Sequence, residues 1–113
     1  MITKRDIIER YNDYCEREFG DDPISENTKG DLGLLYTDVG TNEEYSLQVS
    51  YNLESQEIIV ELTEKETGEK QTYKEKEPYE KFYDELEGIS YDDYYSWAHD
   101  IVNDKFGRED IEF

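Results

Sequence analysis

The stretch Glu44–Leu53 reads EYSLQVSYNL and alternates strictly between apolar and polar side chains. Every second position carries one of Tyr45, Leu47, Val49, Tyr51 and Leu53, and the positions between them carry Ser46, Gln48, Ser50 and Asn52. Successive side chains of a β-strand point to opposite faces, so this period predicts a strand with one buried and one polar face. The strand therefore belongs to a sheet that is covered on one side only.

Two segments on either side of this strand are rich in apolar and β-branched residues: Leu32–Val39 (LGLLYTDV) and Glu57–Glu64 (EIIVELTE). Short polar turns separate the three segments, which predicts an antiparallel meander. Lys70–Lys76 (KQTYKEK) is a weaker candidate for a fourth strand, and its lysines suit an exposed sheet edge. Residues 21–31 (DDPISENTKGD) contain turn residues and little periodicity, so they predict a loop.

The N-terminal segment has the period of a helix. Thr3 and Asp6 form a cap-like pair at its start, and Gly20 supplies a stop signal. Its apolar side chains recur at helical spacing, and they are Ile7, Ile8, Tyr11, Tyr14 and Cys15. We expect this stripe to face the core.

Two more helices are predicted after the strands. Pro78 suits the first turn of a helix that ends at Gly88, with an apolar stripe of Tyr79, Phe82, Tyr83 and Leu86. Ser90 and Asp93 form the cap signature of the last helix, whose stripe is Tyr94, Trp97, Ala98, Ile101 and Val102. The fold class is therefore α+β: one domain over residues 1–113, with two layers, in the order helix, three or four antiparallel strands, helix, helix. In this arrangement Trp97 lies between the last helix and the sheet.

The composition of the chain is strongly acidic, with 31 acidic against 12 basic residues and a net charge of −19. Its 11 tyrosines and regular apolar spacing indicate a folded domain rather than a disordered acidic tail. Such a charge is repelled by nucleic acid and by anionic membranes, and it attracts a protein with a basic groove. We therefore expect a basic nucleic-acid-binding protein as partner. Adaptation to high salt is the alternative, but eight lysines and a single alanine argue against it.

Two features bear on the compartment. Cys15 is the only cysteine, so an internal disulfide is excluded, and the N-terminal MITKRDIIERYNDY lacks the apolar run of a signal peptide. No stretch approaches the ~18 apolar residues of a membrane span. We expect the protein in a reducing cytoplasm.

No motif for catalysis, a metal or a cofactor is present. His99 has no good metal ligand three or four positions away, so we expect it to be solvated on the polar side of its helix. Cys15 lies in an apolar stripe, which predicts a buried, inert thiol rather than a nucleophile. Pairs of carboxylates carry no signal for glycoside hydrolysis, because 31 acids produce such pairs by chance. We therefore expect no enzymatic activity, no metal and no cofactor.

The C-terminal third is the best candidate for a binding surface, since residues 78–113 hold eleven acids and three bases. We place Asp93, Asp100 and Asp104 on the side of the last helix away from Trp97 and Ile101, where they span roughly 16 Å. DNA carries a charge about every 1.7 Å of duplex axis, so an acidic face of this length can imitate part of a phosphate row. A solvated face without a partner is the alternative. The expected partner-binding residues are Tyr91, Asp92, Asp93, Tyr95, Asp100, Asp104, Glu109 and Asp110.

The element order and the acidic C-terminal half resemble those of small phage-encoded anti-CRISPR proteins that block Cas nucleases. The matching segments are TKRDIIERYNDYC, EYSLQVSYNL, EIIVELTE and YDDYYSWAHDIVNDKF. The resemblance implies a nucleic-acid mimic that occupies the basic DNA-binding site of a bacterial defence nuclease, in an anti-CRISPR or anti-restriction role. The alternative is a non-catalytic interaction module of a phage or mobile-element protein. Such a module would use the edge strand or the polar sheet face of Ser46, Gln48, Ser50 and Asn52.

Overall fold

The computed structural model describes residues 1–18, 20 and 31–111. The elements are α1 (Lys4–Glu18), β1 (Asp31–Val39), β2 (Tyr45–Asn52), β3 (Glu57–Glu64), β4 (Lys70–Lys76), α2 (Tyr79–Gly88) and α3 (Tyr91–Asp104). This order confirms the predicted α+β class, and the weaker candidate, the fourth strand, is present. The loop predicted for residues 21–31 lies outside the described residues, except for Asp31, which begins β1.

The four strands form one antiparallel sheet in sequence order, so β1 and β4 are its edges. The apolar positions of the predicted central strand are buried as expected: Leu47, Val49 and Tyr51 alternate with the exposed Gln48. Their partners on β3, in register, are the equally buried Leu62, Val60 and Ile58. The lysines of β4 are exposed along the sheet edge, which agrees with the sequence pattern.

The polar face of β2 is less open than its sequence predicts. Only 6% of Ser50, whose register partner on β3 is Ile59, is accessible. Asn52 is half-buried and donates a hydrogen bond from Nδ2 to Asp31 Oδ1 at 2.8 Å. Of the four predicted polar residues, Gln48 alone is fully exposed.

The three helices share one core with the sheet. All five residues of the predicted α1 stripe are buried, including Cys15. Phe82 of α2 stacks on Tyr51 of β2 with ring centroids 3.7 Å apart, and Tyr14 of α1 meets Tyr94 of α3 edge to face at 5.8 Å. α3 lies against β1, β2 and β3.

The ends of α2 and α3 follow their sequence signals closely. Pro78 has an extended backbone and precedes α2 as its N-cap, one residue earlier than the predicted first-turn position. The predicted cap of α3 is confirmed, since the Asp93 N–H donates to Ser90 Oγ and the Ser90 N–H donates to Asp93 Oδ2. This reciprocal pair satisfies two amides that the helix itself leaves unpaired.

The placement of Trp97 between α3 and the sheet is wrong. The buried side chains of α3 are Tyr94, Ala98, Ile101 and Val102, whereas Trp97 is half-buried and packs against the margin of the core. Because α-helical residues advance about 100° each, the buried four define a face whose centre lies a quarter-turn from Trp97.

α1 is held to α2 by arginine. The Arg10 guanidinium lies 3.7 Å from the centroid of the Tyr83 ring and donates to Tyr83 Oη at 2.9 Å and to Glu87 at 3.3 Å. Further along α1, Arg17 donates to the backbone carbonyls of Leu86 and Ile89. Arg10 and Arg17 thus hold α1 against α2.

Candidate functional site

The eight predicted partner-binding residues fall into three separate groups on the surface. The first is at the start of α3, where Tyr91 and Asp92 line an open hollow of about 510 Å³ together with Glu18 and Tyr36. The Tyr91 N–H donates to Glu18 Oε1 at 2.7 Å, and its hydroxyl donates to the Tyr36 carbonyl at 3.3 Å. Tyr95, one turn beyond Tyr91, is half-buried on the same helix. These contacts join two tyrosines and two carboxylates in one hollow.

The second group runs along α3. Asp93, Asp100 and Asp104 are all exposed, as predicted, but they follow the same stripe as Trp97, because positions 93, 97, 100 and 104 are separated by four, three and four residues. The prediction that these three aspartates lie on the side of α3 away from Trp97 is therefore wrong. Asp92 lies on another side of the helix, next to the hollow. The acids of α3 form two surfaces rather than one row.

The third group follows α3. Glu109 is exposed, and Asp110 accepts hydrogen bonds from Arg108 at 3.0 and 3.2 Å. The Arg108 guanidinium lowers the pKa of Asp110 below its usual range, and it also donates to Tyr45 Oη at 2.7 Å. The negative charge of Asp110 is therefore paired with Arg108 of the same molecule. The role of these two acids in partner binding stays a prediction.

The two C-terminal helices are strongly acidic. Residues 79–104, which span α2 and α3, contain eight acids (Glu80, Asp84, Glu85, Glu87, Asp92, Asp93, Asp100 and Asp104) and one lysine, Lys81. The edge strand β4, by contrast, has three lysines and one glutamate. The C-terminal helices therefore carry an excess of seven negative charges, since eight acids stand against one base.

A second concave site lies beside α3 and involves residues that the sequence did not single out. It is a cavity of about 340 Å³ between α3, β3, the end of β4 and α2, lined by Ile58, Glu75, Glu77, Lys81, Glu85, Ile89, Tyr94 and Trp97. Glu77 is only 3% exposed. Its backbone is fixed on both sides, because its N–H donates to the Gln56 carbonyl and its own carbonyl accepts from Tyr51 Oη.

Two polar atoms in the cavity wall lack hydrogen-bond partners among the described residues: Glu77 Oε2 and Tyr94 Oη. The nearest cation is Lys81, whose Nζ lies 3.8 Å from Glu77 Oε1 with the lysine side chain largely in solvent. Burial raises the pKa of Glu77 to about 8; a hydrogen bond shared with the Glu85 carboxyl and the negative charge of Glu85 act in the same direction, while Lys81 opposes them. The carboxyl is consequently mostly protonated at neutral pH. Unpaired buried polar atoms are uncommon, so this wall has unused hydrogen-bonding capacity.

One sequence signal could have revealed Glu77. The alternation that places Gln71, Tyr73 and Glu75 on the helix-covered side of β4 continues to Glu77, two positions beyond Glu75. Its burial depends on α2 and α3 closing over it, which no local pattern encodes. Lys81 and Glu85 then follow at successive four-residue steps, which bring them to the same side of α2.

The described residues offer little for other chemistry. Among residues 1–18, 20 and 31–111, no three His, Cys, Asp or Glu side chains are grouped so that they could hold a metal ion. His99 is half-buried on α3 and has an interaction within the molecule, so it is less solvated than predicted. No described helix is both long and apolar enough to cross a bilayer.

Comparison of the chain with known protein families, with curated proteins and with solved structures finds no significant match. The features of the molecule that bear on function are the two concave sites and the charge of the helices.

Proposed function

We propose that this protein is a non-catalytic inhibitor whose acidic helices occupy the basic DNA-binding site of a nucleic-acid-binding protein. A bacterial defence nuclease, such as a Cas nuclease or a restriction enzyme, is the target class that fits such a role, and the setting is the cytoplasm of the bacterial host. The protein itself binds neither nucleic acid nor membrane in this proposal, since both carry the same sign of charge.

The observation that carries the proposal is the excess of acid on α2 and α3, where eight carboxylates stand against one lysine. Asp100 and Asp104 are exposed on α3. An α-helix rises about 1.5 Å per residue, so the backbone sets the spacing between the two carboxylates. A rigid acidic face loses less entropy on binding a basic groove than a flexible acidic segment would.

The hollow at the start of α3 supplies a second kind of contact. Tyr36 is 67% exposed and lies beside Tyr91, Asp92 and Glu18. An arginine from a DNA-binding groove can pair with a carboxylate and stack on an aromatic ring at the same time. Tyrosine next to carboxylate is therefore a suitable receptor for the side chains that normally hold phosphates.

The test is electrophoretic competition, in which the protein displaces a DNA duplex from a candidate nuclease. A triple variant, Asp92→Asn with Asp100→Asn and Asp104→Asn, should weaken displacement by at least about tenfold, because each charge-assisted contact contributes roughly 1.5 to 3 kcal/mol. Asp93 is left intact, since it caps α3.

The matched control is Glu54→Gln with Glu66→Gln and Glu69→Gln, three exposed acids outside the helices. Both triple variants remove three charges from −19 and so have a net charge of −16. Displacement that is weakened equally in both variants would show that only total charge matters and would contradict a specific acidic face.

The second candidate, an interaction module that uses the sheet, is favoured by the open face around Tyr36 and its register partner Gln48, which are both exposed. This face carries the β4 lysines along one side, so its binding should depend less on salt than a contact between acidic helices and a basic groove. Binding that survives the helix triple variant but is lost in Gln48→Ala, which lies outside the hollow at the start of α3, would support this candidate.

A further inference from the structure

We propose that the cavity between α2, α3 and β3 is a binding site for a guanidinium cation, held by Glu77, Glu85 and Tyr94 and covered by the indole of Trp97. The inference does not depend on the proposed inhibitor function, because it concerns a different set of residues and is tested with small molecules.

The polarity of the cavity favours a cation. Three acids line it, namely Glu75, Glu77 and Glu85, against the single amine of Lys81. Glu77 Oε2 and Tyr94 Oη are both buried and lack partners within the described residues, and both oxygens can accept hydrogen bonds. A cationic donor is attracted to a cavity with three acids and one amine, whereas an anion would meet the field of a chain with net charge −19.

The shape and the walls of the cavity favour a planar organic cation over a hydrated ion. Ile58, Ile89 and the ring of Trp97 give it an apolar side, which suits a ligand with an apolar stem. A guanidinium is flat, stacks on indole, and presents parallel N–H groups that match carboxylates. It is also more weakly hydrated than an ammonium, so it enters a half-buried site at lower desolvation cost.

Lys81 is not a sufficient occupant of the site. Its Nζ is 3.8 Å from Glu77 Oε1, beyond hydrogen-bond distance, and its side chain is 56% exposed. It can therefore swing into solvent when a better-fitting cation arrives, with little loss of stability.

Binding is coupled to a proton. Burial holds a proton on Glu77, and the groups that face it are Glu75 on β4, Lys81 and Glu85 on α2, Tyr94 on α3 and Tyr51 on β2. An entering guanidinium favours the ionised carboxylate, so the Glu77 O–H bond breaks and its proton passes to the buffer. Affinity should therefore rise between pH 6 and about 8 and level off above it.

Trp97 makes the test simple, since it is the only tryptophan in the chain and lines the cavity. N-propylguanidinium should change its fluorescence saturably, and propylammonium should bind at least about tenfold more weakly. Glu77→Gln should weaken propylguanidinium binding by at least about tenfold and abolish proton release, measured by calorimetry in buffers of different ionisation enthalpy. Tyr94→Phe, which removes only the hydroxyl, should weaken it by a smaller factor.

The control is Glu66→Gln, which removes an exposed charge outside the cavity and the helices and should change the affinity less than about twofold. Thermal melts establish that each variant is folded. A fluorescence change that is absent, unsaturable, or equal in wild type and Glu77→Gln would overturn the proposal.

The guanidinium can come from a small molecule or from an arginine of another protein, and a second titration separates the two. An arginine-containing peptide that binds more tightly than propylguanidinium, while its lysine counterpart does not, assigns the site to a protein arginine. Equal affinity of peptide and small molecule assigns it to a free alkylguanidine. Both results support the guanidinium site, and peptide binding that ignores the arginine-to-lysine change contradicts it.

Discussion

Asp100 and Glu77 have the same functional group in opposite surroundings. Asp100 projects from α3 into solvent, whereas Glu77 is 3% exposed behind that helix. Because burial raises the pKa of Glu77 to about 8, most copies of the molecule carry a proton there at pH 7. The difference shows that the formal charge of −19 counts carboxyls without regard to where the fold puts them. The exposed acids create a field, and the buried acid creates a specific site.

Tyr94→Ala should have the largest effect, because this side chain supports both regions. Tyr94 is 1% exposed, anchors α3 beneath its acidic surface and forms part of the wall around Glu77. We expect a loss of about 3 to 5 kcal/mol in the free energy of unfolding, measured by urea denaturation at pH 7. Tyr95→Ala, at the half-buried neighbouring position, should cost clearly less. Equal losses would mean that Tyr94 is not the anchor.

Glu77→Gln should change how stability depends on pH. The folded pKa of Glu77, about 8, lies above the ordinary value of 4.5, so the folded state binds the proton more tightly than the unfolded chain. The contribution of Glu77 to the free energy of unfolding is at its maximum below pH 4.5 and is lost as the pH rises to about 8.

As the pH rises from 4.5 to about 8, the free energy of unfolding of Glu77→Gln should therefore increase by roughly 2 to 4 kcal/mol relative to that of wild type. Above that pH the difference should grow no further. Urea denaturation at several pH values measures the difference. A Glu77→Gln curve that runs parallel to that of wild type would show that Glu77 is not a buried, protonated acid.

Trp97→Ala should have a smaller effect than burial between helix and sheet would give. A fully buried tryptophan costs about 3 to 5 kcal/mol when truncated, but Trp97 is half-buried at the core margin, so we expect about 1 to 2 kcal/mol. Chemical denaturation with far-UV circular dichroism as the signal avoids relying on the removed fluorophore. A loss in the free energy of unfolding near that of Tyr94→Ala would show that Trp97 is buried between α3 and the sheet.

Asp93→Asn should give the smallest effect and separates two exposed acids on the same stripe. Asp93 accepts from the Ser90 N–H at 2.9 Å, so the substitution should weaken the helix cap by about 0.5 to 1 kcal/mol. Asp100→Asn should be neutral or slightly stabilising, because it relieves repulsion without breaking a cap. Amide hydrogen exchange in the first turn of α3 reports the difference directly. Identical exchange in the two variants would argue against a working cap.

The fold follows from local patterns, which is why most of it could be predicted. Strict alternation in EYSLQVSYNL defines a strand whatever its neighbours are, and the Ser90–Asp93 cap defines where α3 begins. Trp97 was misplaced because its spacing also satisfies a helical stripe. Which edge of that stripe is buried depends on how α3 packs against the sheet, and the local sequence does not encode that packing.

The candidate sites were predictable to a smaller extent. Exposed acids on α3 follow from composition and helical spacing, and their exposure is confirmed. The hollow at Tyr36 and the cavity at Glu77 each combine side chains from at least three segments far apart in the sequence. Such sites arise from chain topology, so single-sequence periodicity carries no signal for them.

The clamp between α1 and α2 has a consequence for the way in which the chain folds. Arg10 and Tyr83 are 73 positions apart, so α1 gains its arginine contacts only after the entire sheet and α2 have been made. Closing so long a loop costs entropy before the contact offsets it. During synthesis on the ribosome, α1 can reach β1 through Tyr14, only 20 positions from its partner Leu34, but its contacts with α2 must wait until one of the last helices emerges. Until then the part of α1 that α2 covers is exposed to chaperones and proteases.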